Sequence, residues 1–147
     1  QACVISLAHG VRSFYWYKWY VERGYAGPDL HGLIRADGSY APKAGVPALN
    51  ALIETLHDGT IRGTAPVEDQ RLSVFRFTRP AHRAGDAAEE TVLVAWRRTG
   101  TEGAAALPLE QADRVYDLYG NPVPVSGRAV TIGDLPLYIV RERSPNG

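Results

Sequence analysis

The sequence predicts an α/β unit over residues 1–60 followed by a small all-β unit, an antiparallel sandwich, over residues 61–147. Two observations carry this. In the first stretch, helix-period apolar positions flank one intensely aromatic run, whereas beyond Thr60 the apolar residues recur every second position between turn signals. A third concerns origin. The chain holds no methionine and opens on Gln1, so residue 1 is expected to be an interior position of a longer polypeptide.

Element by element, "QACVISLAHG" reads as the end of a helix. Val4, Leu7 and Ala8 fall at i, i+3 and i+4, and Gly10 suits the left-handed residue that follows a helix. A strand is expected from Val11 to Tyr17 or Trp19, inside "GVRSFYWYKWY". A long loop punctuated by Gly24, Gly27-Pro28 and Gly32 comes next, then a small hairpin or turn centred on Asp37-Gly38. "VPALNALIETLHDG" predicts an amphipathic helix. Pro47 lies in its first turn, Val46, Leu49, Leu52, Ile53 and Leu56 form its stripe, and Gly59 closes it. Helix, strand, loop, helix is α/β order, but one apolar strand needs neighbours on both edges. Residues 1–60 are therefore expected to be the last βα unit of a larger α/β domain.

From Thr60 onward, strands are expected at Leu72–Phe77, Thr91–Trp96, Arg114–Leu118, Ala129–Ile132 and Leu137–Val140. Turn signals separate them at 84–86, 99–103, 120–122 and 126–127. The pattern fits a sandwich of roughly six to eight strands, too small to stand without packing on the α/β part. Phe75, Phe77, Trp96 and Tyr138 are expected in its core, because so small a unit needs its large residues inside.

Composition narrows the function classes. Sixteen Lys and Arg balance sixteen Asp and Glu, with no basic face, so a nucleic-acid partner is not expected. No apolar run reaches membrane-spanning length, and no membrane partner is expected. Cys3 stands alone, His9, His31, His57 and His82 lie far apart, and no motif calls for a metal or a cofactor.

"GVRSFYWYKWY", "HGLIRADGSYAPKAGVPALNALIETL", "VYDLYGNPV" and "AVTIGDLPLYIV", in that order and spacing, resemble the C-terminal end of a clan A glycoside hydrolase. These enzymes, among them families 39 and 5, are (β/α)8 TIM barrels acting on β-linked glycosides. The resemblance covers essentially the whole chain. It implies that residues 1–60 hold the tail of the seventh barrel helix, the eighth strand and the eighth helix, and that 61–147 form an accessory β-sandwich domain. It also places both catalytic glutamates of a retaining mechanism upstream of Gln1. No catalytic residue is therefore expected in this chain, which alone should be inactive. Glu22 lies in the right loop without a partner and reads as a solvated charge, as do Asp29 and His31.

On that reading the aromatic band acquires a purpose. Barrel strands present their C-terminal ends to the active site, and a flat ring suits the apolar face of a sugar. Trp16 and Lys18, on one strand face, are expected to meet the carbohydrate substrate, with Trp19 as a third substrate-binding candidate. Phe14 and Tyr15, earlier in the strand, are expected to fill the gap beneath it. The partners implied are a β-linked glycoside and the N-terminal portion of the barrel. The alternative is a non-catalytic β-sandwich that binds a carbohydrate or a partner protein.

Overall fold

The computed structural model describes residues 1–13, 32–35, 39–81 and 89–142, the last of them by its backbone alone. Among these residues there are two helices, α1 (Ala2–Ala8) and α2 (Gly45–Leu56), and seven strands. β1 (Thr60–Thr64), β2 (Leu72–Pro80), β3 (Glu89–Arg97), β7 (Leu137–Glu142) and β5 (Arg114–Tyr116) form a five-stranded sheet in that order. β4 (Ala105–Pro108) and β6 (Ala129–Ile132) form a second, two-stranded sheet. Every strand pair is antiparallel. The fold is thus β-rich, and none of its described helices is long and apolar enough to cross a membrane.

Side-chain alternation gives the large sheet two buried faces. Leu72, Val74, Leu93, Ala95, Val115 and Ile139 face the small sheet and meet its Ala105, Leu107, Val130 and Ile132. Phe77, Val92, Val94, Trp96, Tyr138 and Val140 face the other way, onto Val4 and Leu7 of α1 and Leu52 and Leu56 of α2. The molecule therefore has three layers: helices, large sheet, small sheet. With both faces covered, β3 is buried without interruption from Val92 to Trp96.

The ends of the elements explain where the expectations hold and where they shift. Gly10 has φ 85°, and its N–H donates to the Leu7 carbonyl while that of Val11 donates to Ser6. This is the Schellman pattern, with Gly10 in the left-handed position. Because Val11 is engaged there, Val11–Ser13 form no strand; the rest of the expected strand lies outside the described residues. Around the expected hairpin, Ile34 bridges Pro42, while Asp37-Gly38 lies outside. α2 begins one residue earlier than expected and ends in a turn in which Gly59 donates to the Leu56 carbonyl, at 2.9 Å. Asp58 takes the positive φ there, 55°, so Gly59 is required for another reason. A Cβ on Gly59 would stand 2.8 Å from the Leu56 oxygen.

Ile53 departs from the expected stripe. It is 53% exposed, and the buried residue of the helix is Ala51. In the β unit, β5 stops at Tyr116 because Asp117 starts the next turn. β1 and β4 are additions that the sequence pattern did not mark.

Candidate functional site

Trp16, Lys18 and Trp19 lie outside the described residues, as do Phe14, Tyr15, Glu22, Asp29 and His31. The described residues concentrate their chemistry at the seam between α2 and the large sheet. There an open cleft of about 600 Å³ is lined by Ile53, His57, Arg79, Arg114, Tyr116 and Gly120, among others.

Its floor is a charged network. Along β2, Phe75, Phe77 and Arg79 share the helix-facing side, and along β3 so do Glu90, Val92 and Val94. Arg79 and Glu90 are cross-strand partners. They are 8% and 4% exposed. Arg79 Nε and Nη2 both donate to Glu90 Oε2, at 3.0 and 2.8 Å. Its Nη1 donates to the carbonyls of Thr55 at 2.7 Å and Glu54 at 3.2 Å, in the last turn of α2. Glu90 Oε1 accepts from Arg114 Nη2 of β5 at 2.9 Å. One carboxylate thus ties β2 to β5, and one guanidinium ties the sheet to the helix. With both oxygens so engaged, Glu90 is built as an acceptor rather than a proton donor to a substrate.

The rim is the "DLYG" turn, Asp117–Gly120. Asp117 Oδ1 accepts from the backbone N–H groups of Tyr119 and Asn121, both at 2.8 Å, and Oδ2 accepts from the Asn121 side chain at 3.0 Å. Burial pushes its carboxyl up, but the Asn121 side chain and the N–H groups of Asn121, Tyr119 and Gly120 outweigh this and hold it below the usual carboxylate value. Gly120 turns with φ 82° and brings the loop onto α2. Opposite, His57 Nδ1 meets Asp58 at 2.9 Å in solvent.

A second cleft, about 510 Å³, lies on the sandwich side, lined by the Ala65–Asp69 stretch, Pro108, Arg76 and Arg141 among others. Arg141 donates to both oxygens of Asp113, at 2.8 Å each, which holds its pKa above the ordinary value. Among the described residues no group of three or more His, Cys, Asp and Glu gathers as metal ligands.

Phe77, Trp96 and Tyr138 are buried and Phe75 is half-buried against them, as expected of core residues, but they fill the core between the helices and the large sheet rather than the space between the two sheets of the sandwich. The Arg79–Glu90–Arg114 network was not anticipated. Its signal was available, since Arg79 continues the parity of Phe75 and Phe77, and Glu90 that of Val92 and Val94. Compared with protein-family models, curated proteins and solved structures, the chain matches none.

Proposed function

We propose that this chain is the C-terminal part of a retaining β-glycoside hydrolase. Residues 1–60 supply the tail of the seventh barrel helix, the eighth strand and the eighth helix of a (β/α)8 barrel, and residues 61–147 form the accessory β-sandwich domain. The acid and the nucleophile, a carboxyl pair about 5–5.5 Å apart in a retaining enzyme, belong to strands upstream. Trp16 and Lys18, with Trp19 beside them, meet the sugar.

One observation supports this best. α2 has two apolar edges. Leu52 and Leu56 pack on the helix-facing core, whereas Val46, Leu49 and Ile53, at i, i+3 and i+7, belong to neither core. At about 100° per residue the centre of the second edge lies roughly 70° around the helix from that of the first. A barrel's last helix carrying a sandwich domain needs two such edges, one for each body. The alternative, a self-contained carbohydrate-binding sandwich, gains less support, because Phe77, Trp96 and Tyr138 are buried rather than displayed in a row.

The test is an assay against aryl β-glycosides. The 147-residue chain alone should show no turnover, and the polypeptide extended upstream through its coding region should hydrolyse them. Trp16→Ala in the extended protein should lower kcat/KM about tenfold or more while shifting its melting little. An extended protein without glycosidase activity, or an open reading frame that begins near residue 1, would overturn the proposal.

A further inference from the structure

We infer that the β unit is a brace for α2, and that Arg79 is the positioning residue that sets where the helix sits along the sheet. The consequence for catalysis rests on α2 being a barrel helix; the mechanical part does not.

Helix α2 does not cap its own C-terminus. No basic residue lies in its last turn, His57 leaves with φ −53° and ψ 131°, and the His57 ring is turned to Asp58. The last carbonyls of a helix have no partner within it and carry the negative end of its dipole. Here the partners come from outside the helix. Gly59 N–H serves Leu56, and Arg79 serves Glu54 and Thr55. A cation from the sheet therefore occupies the place that a helix-borne Lys or a glycine cap fills elsewhere.

Net stability is a poor reason for that arrangement. A buried ion pair roughly breaks even against apolar residues of the same volume. What it supplies is discrimination. The apolar contact that α2 makes with the sheet is narrow, chiefly Leu52 and Leu56, and contacts of this kind tolerate sliding and rotation. The guanidinium does not. Shifted by one turn, about 5.4 Å, the helix would leave Arg79 facing side chains in place of carbonyls, still buried and still charged. Glu90 and Arg114 fix the guanidinium itself, so the seat is dictated jointly by β2, β3 and β5. In sequence, α2 closes the stretch that carries Trp16, Lys18 and Trp19. Holding this helix is how the sandwich would act on the sugar site.

Amide hydrogen exchange on the 147-residue chain tests the brace. The informative variant is Arg79→Met with Glu90→Gln, which removes the network without leaving a buried carboxylate unpaired. Exchange across α2 should quicken about tenfold or more while β3 and β7 amides stay within about threefold of the parent. Arg79→Lys, which keeps the charge without the fork, should recover only part of the protection. Equal acceleration in helix and strands would reduce Arg79 to a general stabiliser, and unchanged exchange in α2 would refute the brace directly. In the upstream-extended protein the same double variant should lower kcat on an aryl β-glycoside several-fold. An extended protein that is inactive from the start removes the glycosidase reading and leaves the exchange result standing. One that is active and keeps its kcat in the variant removes the link between brace and catalysis.

Discussion

Phe75 and Trp96 lie ring against ring, their centroids 5.2 Å apart and their planes 17° from parallel. They are diagonal neighbours across the β2–β3 ladder, in which Ser73 pairs with Trp96 and Phe75 with Val94. Their rings share the helix-facing core with Phe77 and Tyr138. A stacked aromatic pair contributes about 0.5–1.5 kcal/mol beyond the area it buries.

Trp96 is 4% exposed, so truncating it leaves a void that neither helices nor strands can close. Trp96→Ala should destabilise the chain by about 3–5 kcal/mol in chemical denaturation. A folded variant of nearly unchanged stability would show that the ring is not part of the core.

Gly120 faces a different constraint. At φ 82° a side chain is strained, and a Cβ there would stand 3.4 Å from the Ala51 Cβ of α2. Gly120→Ala should cost about 1–2 kcal/mol, chiefly from the backbone. Adding Ala51→Gly removes the contact without relieving φ, so it should not restore stability. Recovery in the double variant would assign the cost to crowding instead.

Much of this fold could be read from the sequence because its signals are local. The Schellman turn at Gly10, helix α2, and strands β2, β3, β6 and β7 each carry their own periodicity or punctuation. β1 and β4 do not. "TIRGT" is interrupted at Gly63, where φ is 90° beside a register shift, and "AALP" holds only four residues of modest strand preference. These segments become strands because a neighbour offers a ladder, and a one-dimensional pattern does not contain the neighbour. Ile53 illustrates the same limit. Its spacing fits the apolar stripe, but the sheet meets α2 on the side of Leu52 and Leu56, and only the packing reveals which side is used. The charged network sits between these cases: the parity of Arg79 and Glu90 is present in the sequence, while their pairing depends on strand register.

Ile53 gives a test that compares two contexts. In the 147-residue chain Ile53→Asp should change stability by no more than about 0.5 kcal/mol, as for an exposed helix position. In the protein extended upstream it should cost about 1 kcal/mol or more, because the barrel would cover that edge. An equally small effect in both would mean that nothing packs there.

Tyr138 supplies a pH test. Its ring is 2% exposed, and burial, with Cys3 nearby as the second cause, pushes the phenol up to about 12 from an ordinary value of 10.0. The folded value is the higher one, so the native state keeps a proton that the unfolded chain gives up. The stabilising contribution is whole below the unfolded value of about 10 and is lost as pH rises towards the folded value. Across that window stability should fall by up to about 1.4 kcal/mol per pH unit from this group alone. Tyr138→Phe keeps the ring and deletes the titration. Its unfolding free energy, measured in urea at pH values from about 8 to about 11, should decline less steeply than that of the parent. The two proteins differ only in that hydroxyl, so the difference in slope isolates Tyr138. Cys3→Ser should retain most of the parent slope, because burial is the larger cause. Parallel declines for Tyr138→Phe and the parent would mean that the phenol ionises as readily folded as unfolded, and the hydroxyl would then have to be open to water.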